Sequence, residues 1–450
     1  MDNPNIVLVH CHDLGKYLGC YDSAVETPQV DALADSGVRF DRHFVTAPQC
    51  SPSRSSLMTG RHPHQNGMLG LAHGNWELHD EEQVLPELLR EAGYETHLFG
   101  LQHITEYPNR LGYDESHSEE PLTADAPPSV HESARARDVA DEFAAMLEDG
   151  DHDDPFFASV GFFEAHRVEE NGDFGFEGER YGAPAPEEVE PLEFLPDEPG
   201  IRSDIAEIHG MLDAIDDGVG TVTDALESAG LTKDTLVVFT TEHGLAMPRA
   251  KGCCSDQGIG GVLLWSRPGT VEPGVVDDLV SNVDVFTTLL EVAGAPQPDT
   301  DLAGQSFLPL LEDDDDEDFR ERIFAGMTWH DRYNPMRAIR TDRWKYVRNF
   351  WHLPDVYLTR DIFCSAAGSE VRKTSYGEQR PYEELYDLEA DPLEKENLLA
   401  DGDLDDSAAE TARDRLRDEL LEWMETTDDP LLEGPVLPGD WDEIRLRNEE

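Results

Sequence analysis

The residue types that could do chemistry are densest in the segment that runs from Cys50 to Arg61, CSPSRSSLMTGR. Pro52 and Ser53 predict the start of a helix, because proline fits the first helical turn and serine can cap it. Cys50 would then lie just before the helix N-terminus, where unpaired N–H groups and the helix dipole stabilise an anion. Arg54 can place a cation beside it. The pattern predicts a reactive cysteine at an anion site or, alternatively, a structural cysteine in a helix cap.

Histidines and carboxylates also follow four short apolar runs that predict buried strands. In folds built on parallel strands, ligands bind at the carboxyl ends of the strands. The four strand ends therefore predict one shared site. Its candidate side chains are His10 to Asp13 after the first run, His103 after the second, His166 after the third, and Glu242 with His243 after the fourth.

The elements that must position these side chains alternate between strands and helices over the first two thirds of the chain. This alternation predicts an α/β fold with a mainly parallel central sheet flanked by helices. Two Pro- and acid-rich stretches, Asp114–Ala134 and Glu169–Gly200, are predicted loops without assigned structure. The predicted strands are Ile6–Val9, Thr96–Phe99, Phe156–Val160, Leu236–Thr240 and Gly261–Trp265, and the predicted helices are Val84–Ala92, Ala134–Leu147, Ser203–Ala229 and Val283–Val292.

The last third of the chain predicts a second, smaller unit. The acidic run Glu312–Asp318 is typical of a solvated linker. After it come two strand-like segments, Arg322–Trp329 and Met336–Phe350, and a closing helix over Ala408–Met424. We therefore predict a catalytic α/β domain over residues 1–318 and a smaller C-terminal α+β domain over residues 319–450.

Composition excludes several classes of partner. Lys and Arg total 34 of the 450 residues against 97 Asp and Glu, a formal net charge of −63. Nucleic acid and anionic membranes are recognised by clustered basic residues, so neither is an expected partner. Only six residues are lysine, and the acids are spread along the chain. Such a surface is typical of proteins from concentrated salt, where the Debye length is about 3 Å, although an acidic mesophilic enzyme is the alternative.

The chain predicts a cytoplasmic location. It opens MDNPNIVLVHCHD, without the basic segment of a signal peptide. No stretch reaches the roughly 20 apolar residues that span a bilayer. Its six cysteines are too scattered for a disulfide scaffold in a chain of this length.

Several blocks, taken in order, resemble the sulfatase family, the formylglycine-dependent branch of the alkaline-phosphatase-like superfamily. Residues 64–71, HQNGMLGL, are most similar to the sulfamidase, or heparan N-sulfatase, branch. The resemblance covers most of the chain and implies hydrolysis of a small anionic sulfated substrate. The blocks are PNIVLVHCHDLGKYLGCY, TPQVDALADSGVRF, CSPSRSSLMTGRHPH, VFTTEHG and ELYDLEADPLEKENL.

The resemblance makes Cys50 the precursor of a catalytic aldehyde, formylglycine, produced by a formylglycine-generating enzyme. The hydrate of an aldehyde carries two hydroxyls on one carbon. One can attack sulfur, and loss of the proton from the other regenerates the aldehyde and expels sulfate, so covalent catalysis has a built-in exit. The resemblance also implies that such enzymes are often homodimers.

A divalent metal is implied as well, bound by the modified Cys50 and by the residues that follow two of the strands. Asp13 matches the family pattern, but His12 replaces a carboxylate and Glu242 is one methylene longer than expected. Calcium, the family's expected ion, prefers an all-oxygen shell, whereas a shell with His12 and His243 suits manganese or zinc. The alternative is that His12 points away and that Asp13 and Glu242 hold calcium or magnesium.

Three further residues match catalytic positions of the family. Lys251 corresponds to the lysine or arginine on the substrate's sulfate, His103 to the histidine that supports the aldehyde hydrate, and His166 to the histidine on the leaving group. Lys251 could instead be a surface lysine, and His166 could be a structural histidine. Leu101 replaces a family lysine, so a cation is missing unless a residue such as Arg61 or Arg167 substitutes for it.

Three functions remain open at this point. The leading one is a sulfatase that cleaves S–O or S–N bonds of a sulfated sugar or a small sulfate monoester. The second keeps the fold but hydrolyses phosphonate or phosphate diesters, which the mixed ligands and Leu101 favour. The third is a catalytically weakened binding protein on the same scaffold, suggested by His12, Leu101 and Glu242.

Overall fold

The structure, a computed structural model, describes residues 3–117, 134–150, 154–311, 319–352, 354–374, 378–400 and 407–439. The acidic run Glu312–Asp318 and most of the predicted loop Asp114–Ala134 lie outside these residues. The strands are β1 (Asn5–Cys11), β2 (Val38–Phe40), β3 (His43–Phe44), β4 (Glu95–Gly100), β5 (Glu115–Ser116), β6 (Phe156–Gly161), β7 (Val168–Glu170), β8 (Asp173–Gly175), β9 (Thr235–Thr241), β10 (Leu263–Ser266), β11 (Gly274–Val276), β12 (Val280–Ser281), β13 (Arg322–Trp329), β14 (Tyr333–Thr341), β15 (Trp344–Asn349) and β16 (Glu383–Asp387).

The helices confirm the predicted segments to within a few residues at each end. The longest, predicted from Ser203, begins four residues earlier at Pro199, where proline fits the first turn. The described helices are α1 (Pro28–Asp35), α2 (Cys50–Thr59), α3 (Pro63–Asn66), α4 (Leu85–Glu91), α5 (Ala136–Asp149), α6 (Gly178–Tyr181), α7 (Pro199–Ser228), α8 (Asp256–Ile259), α9 (Asn282–Ala293), α10 (Leu308–Leu311), α11 (Arg360–Phe363), α12 (Ala366–Arg372) and α13 (Ser407–Thr426).

Eight strands form the central sheet, in the order β11-β2-β10-β9-β1-β6-β4-β5. The predicted α/β class is confirmed, since the five consecutive strands β9, β1, β6, β4 and β5 run parallel to one another. The predicted strand at Gly261–Trp265 is β10, which runs antiparallel to both β9 and β2. An apolar run carries no information on strand direction, so the sequence could not show this.

Alternate residues of β1 enter two different cores, as the pleat of a strand requires. Val7 and Val9 face one core with α5 and α7, represented by Phe143 and Met211. Ile6 and Leu8 face the opposite core, which contains apolar residues of α2, α4 and α9. The sheet is therefore covered on both faces, and its functional groups lie at the strand ends.

The stretch Glu169–Gly200, predicted as loop, contains most of the small hairpin β7–β8 and the one-turn helix α6. Strands of three residues are too short for an alternating pattern to reveal them.

The C-terminal unit is a four-stranded antiparallel sheet, β13-β14-β15-β16, with α13 packed on one face. The segment Met336–Phe350 forms two of these strands, because the chain turns at Asp342 and Arg343. Leu416 and Leu420 of α13 pack with Tyr346 of β15. This confirms the predicted α+β character, while the domain boundary at residue 318 stays a prediction. Among the described helices, none combines the length and apolar character needed to cross a membrane.

Candidate active site

Cys50 is the first residue of α2, one position further into the helix than the sequence predicted. Gln49 has an extended backbone and caps the helix instead, and its carbonyl accepts a hydrogen bond from the Ser53 amide at 3.1 Å. The Ser53 hydroxyl donates to the Glu242 carbonyl rather than capping its own helix. Cys50 is 1% exposed. Its side chain therefore lies at the positive end of a helix dipole and in an interior environment.

The register of β1 and β9 explains why two distant pairs of residues meet. Cys11 pairs with Thr241 at the ends of the two strands. The next residues are consequently neighbours: His12 Nδ1 lies 2.5 Å from Glu242 Oε1, and Asp13 Oδ1 lies 3.1 Å from His243 Nε2. Asp13 has a φ of 46°, a left-handed conformation in which the chain turns away from the strand.

Cys50 joins this group from α2. Its Sγ lies 3.5 Å from His243 Nε2 and 4.0 Å from Asp13 Oδ1. Ligand atoms of His12, Asp13, Cys50 and Glu242 all lie within 4.8 Å of one another. We call this group, with Arg54, His243, Lys251 and Asp361, the Cys50 site.

Arg54, one helical turn after Cys50, reaches across the end of the sheet. Its Nε donates to Glu242 Oε2, and its Nη1 lies 2.6 Å from His10 Nδ1. His10 in turn contacts the Ser159 hydroxyl on β6 at 3.0 Å. His10 was noted in the sequence without a role, and the structure shows that it positions Arg54.

Lys251 is fully buried and forms two ion pairs. Its Nζ lies 2.8 Å from Asp13 Oδ2 and 3.1 Å from Asp361 Oδ2. Asp361, in α11 and 110 residues further along the chain, was missed by sequence reasoning. No motif surrounds it, so the sequence holds no signal that could have identified it. The alternative of a surface lysine is wrong for Lys251.

Two of the predicted histidines line the Cys50 site. The His166 ring lies 4.9 Å from the His12 ring, and its Nε2 is 3.9 Å from Asp13 Oδ2. His103 lies 5.6 Å from the His12 ring and stacks on His73 at 5.5 Å. Their catalytic roles stay predictions, but the predicted positions converge.

The two candidate substitutes for the missing cation do not face the site. Arg61 pairs with Glu82, and Arg167 is buried in contact with Asp204 at 2.7 Å. Leu101 itself is 0% exposed and packs in an apolar cluster with Phe163. Lys251, which follows β9, is therefore the cation that the structure places in the Cys50 site besides Arg54.

The carboxylates of the site are held in their charged form. Burial alone would raise the pKa of Asp13, but Lys251 and neighbouring histidines lower it well below its ordinary value. Burial likewise would raise the pKa of Glu242, but Arg54 and His12 lower it well below its ordinary value. The two carboxylates in turn overcome burial at His243 and raise its pKa well above its ordinary value. The centre of the site therefore favours a cation.

The donor set of the site fits a divalent metal. Burial lowers the pKa of His12 to about 3, so its ring is neutral. Because Glu242 can only accept, the ring proton must be on Nδ1, and Nε2 carries the lone pair. Nε2 is buried and has no hydrogen-bond partner among the described residues. A histidine whose other nitrogen is bonded to a carboxylate is the usual arrangement for a metal ligand.

The thiol of Cys50 is a poor nucleophile as it stands. Burial and Glu242 raise its pKa to about 11, so the thiolate is scarce at neutral pH. A chemically converted side chain would not depend on this ionisation.

The comparisons with known proteins agree with this geometry. The model of the family described as Sulfatase matches residues 4–295, and the model described as N-sulphoglucosamine sulphohydrolase, C-terminal, matches residues 250–363. Human N-sulphoglucosamine sulphohydrolase is 29% identical, with 96% of this chain and 92% of that protein covered.

Solved structures show the same fold. A phosphonate monoester hydrolase of Agrobacterium radiobacter has a TM-score of 0.71 at 21% identity, covering 94% of this chain and 96% of its own. A structure in complex with its substrate D-glucosamine-2-N,6-O-disulfate has a TM-score of 0.68 at 19% identity, covering 95% and 99%. Since the Sulfatase model alone spans more than half of the chain, this protein belongs to the sulfatase family of hydrolases, as the resemblance to its sulfamidase branch predicted.

Proposed function

We propose that this chain hydrolyses a sulfamate or sulfate ester of a sugar through a formylglycine formed from Cys50. The observation that carries the proposal is the position of Cys50 at the N-terminus of α2, against Asp13 and His243. In the reaction, water adds across the S–N or S–O bond. The sulfuryl group leaves as sulfate, and the amine or alcohol takes up a proton.

Formylglycine and a divalent metal would supply two kinds of chemistry. The aldehyde hydrate would supply a nucleophile, and the metal would polarise the anionic oxygens. His12, through Nε2, and Asp13 are the residues that would hold the metal, with Glu242 accepting the proton of His12 Nδ1 and His243 beside them. Arg54 fixes one oxygen of Glu242 and leaves the other toward His12 and His243. The residue set therefore supports a metal site with mixed nitrogen and oxygen ligands, which favours manganese or zinc over calcium.

The remaining residues suit binding and proton transfer. Lys251 can exchange one carboxylate partner for an anionic substrate oxygen, which keeps its charge compensated in the buried site. His166 accepts no proton at neutral pH in this arrangement, because burial and Lys251 lower its pKa to about 4. An anionic substrate beside it would favour the protonated ring, as a general acid on the leaving group requires.

The substrate class rests on the relatives. The human relative is named as an N-sulphoglucosamine sulphohydrolase, and one structure of the same fold holds a disulfated glucosamine. A 2-N-sulfated glucosamine at the end of a chain, or a small sulfate monoester, is the substrate we infer for this chain.

The test compares turnover of N-sulfoglucosamine, an aryl sulfate and an aryl phosphonate monoester, with calcium and manganese supplied in turn. The variant Cys50→Ala should lose all three activities. Cys254→Ala is the matched control, because Cys254 is also buried but lies in a separate apolar cluster of the C-terminal sheet. Turnover that survives in Cys50→Ala would overturn the proposal.

A phosphonate monoester hydrolase is the second candidate. It is favoured by the histidine pair His12 and His243 among the carboxylates and by the buried Leu101 in place of a family lysine. Phosphonate turnover that exceeds sulfate and sulfamate turnover with manganese would select it.

The surroundings in which the enzyme works remain proposals. From the net charge of −63 we infer a halophilic source. We also infer that the enzyme is cytoplasmic and that it forms a homodimer. Unfolding free energy that rises strongly between about 0.1 and 2 M KCl would support the first, since screening then removes repulsion among surface acids.

A further inference from the structure

A second group of metal-binding side chains lies at the edge of the central sheet, on residues that the Cys50 site does not use. The two-residue strand β5 pairs in parallel with β4, with His97 opposite Glu115 and Leu98 opposite Ser116. Because side chains alternate along a strand, the register places His97 and Glu115 on one face. His117, two residues after Glu115, continues on that face.

The distances within this group suit a shared ion. His97 Nδ1 lies 3.3 Å from His117 Nε2, and Glu115 Oε2 lies 3.8 Å from each of these nitrogens. Two imidazole nitrogens bound to one tetrahedral zinc at about 2.0–2.1 Å are separated by about 3.3 Å. The nitrogens thus already have the spacing of a zinc pair, and the carboxylate must move by only a few tenths of an ångström.

Both rings are held in place by packing. His97 is buried, and the His117 ring stacks on Phe99 with centroids 4.1 Å apart and an interplanar angle of 6°. The other nitrogen of His97, Nε2, lies 3.9 Å from the carboxylate of Glu95. In zinc sites a carboxylate commonly accepts a hydrogen bond from the distal nitrogen of a histidine ligand, and the exposed Glu95 would have to approach by about 1 Å to do so.

We propose that His97 Nδ1, His117 Nε2 and the Glu115 carboxylate bind a zinc ion, which joins β5 to the edge of the sheet. Two nitrogens and one oxygen are a donor set for zinc rather than for calcium or magnesium. The fourth position would hold water. The ion would add to the two-residue ladder of β5 and to the hydrogen bonds between Asp114 and Thr96 that hold this segment at the edge of the sheet.

The experiment counts bound metal on the full chain. Wild type and variants are dialysed against Zn²⁺ at a fixed low concentration, and bound zinc per chain is measured by atomic emission. We expect His117→Gln and Glu115→Gln to bind one zinc fewer than wild type. The control His79→Gln removes an exposed histidine outside the cluster and should keep the wild-type count.

A reciprocal variant separates this site from the catalytic one. Asp13→Asn should lose metal at the Cys50 site but keep the zinc on His97, which Co²⁺ substitution would show as an unchanged visible absorption of the edge site. Glu115 is exposed, so Glu115→Gln answers the question even if His117→Gln fails to fold. Equal zinc counts in wild type and folded Glu115→Gln, with the same Co²⁺ spectrum, would overturn the proposal.

Discussion

The Cys50 site and a second buried ionic group contain similar side chains in different balance. The second group, which we call the Lys345 cluster, consists of Asp256, Arg340, Lys345 and Glu394 and lies where the C-terminal sheet packs against α8. In it, two carboxylates face two cations: Lys345 contacts Asp256 and, at 2.8 Å, Glu394, while Arg340 lies 3.1 Å from Asp256.

In the Cys50 site, a titratable group completes the charge balance. Three carboxylates, Asp13, Glu242 and Asp361, face two permanent cations, Arg54 and Lys251, and the pKa of His243 is raised well above its ordinary value by Glu242 and Asp13. Within the described part of the chain, His12 Nε2 and Asp361 Oδ1 of the Cys50 site are buried without a hydrogen-bond partner, whereas no atom of the Lys345 cluster is in that state. Unpaired buried groups cost stability. The polar groups of the Lys345 cluster therefore find all their partners within the chain, whereas the Cys50 site leaves groups that can bind a cation and a ligand.

The largest change in activity is expected when the reactive side chain of the Cys50 site is removed. Cys50→Ala should lower kcat by on the order of 10⁶-fold, as loss of a catalytic nucleophile does. Its unfolding free energy should change by only about 1 kcal/mol, because a small side chain is exchanged for a slightly smaller one. Steady-state kinetics and urea unfolding measure the two quantities. An unfolded Cys50→Ala chain would instead assign Cys50 to the core.

The next effect breaks the Lys345 cluster and has the opposite signature. Lys345→Met leaves Asp256 and Glu394 buried with one cation fewer and should lower the unfolding free energy by about 3–5 kcal/mol. The kcat of the folded fraction should stay at the wild-type value. A fall in kcat without a fall in stability would contradict the structural role of this cluster.

A smaller effect sharpens the metal hypothesis. His12→Gln keeps a donor for Glu242 but removes the imidazole lone pair, so metal affinity should fall by at least about 10–100-fold. Manganese should be affected more than calcium, because nitrogen ligands suit manganese better. Calorimetric titration of each ion measures this, with His79→Gln as the control. Unchanged manganese affinity would mean that His12 is not a ligand.

The smallest effect concerns a buried histidine outside both clusters. His64 lies under α13, with its ring 4.9 Å from Trp423 and its Nε2 2.8 Å from the Thr427 hydroxyl. Burial lowers its pKa to about 3, with Arg337 adding to and Asp429 opposing the shift.

The sign of the pH dependence follows from this lowered pKa. Between pH 6.5 and about 3 the unfolded chain protonates His64, whereas the folded chain does not. The contribution of neutral His64 to the unfolding free energy is therefore complete above pH 6.5 and is lost as the pH falls from 6.5 to about 3. One such group contributes a slope of about 1.4 kcal/mol per pH unit. His64→Gln should reduce the slope of unfolding free energy against pH by this amount, and His79→Gln should not. An unchanged slope in His64→Gln would contradict the lowered pKa.

Sequence reasoning reached the parts of the site that follow strands. Apolar runs located β1 and β9, and the rule that ligands bind at strand ends brought His12 and Glu242 together before any register was known. Arg54 was predicted to place a cation beside Cys50, whereas its observed contacts are with Glu242 and His10, and this reach depends on how α2 lies across the sheet. That packing is a tertiary property.

Other features could not be read from the chain. Asp361 enters the site from a helix far along the sequence, and its pairing with Lys251 depends on long-range packing. The antiparallel direction of β10 and the short hairpin β7–β8 carry no periodic signal. The edge cluster of His97 and His117 was missed because two residues of strand pairing, rather than spacing along the chain, bring its ligands together.

The most direct test is mass spectrometry of the peptide that contains Cys50, from active protein purified from its native host. We expect an aldehyde at position 50 in the active fraction, and loss of activity in proportion to any fraction that retains sulfur. Full hydrolytic activity in protein whose Cys50 is entirely an unmodified thiol would contradict it.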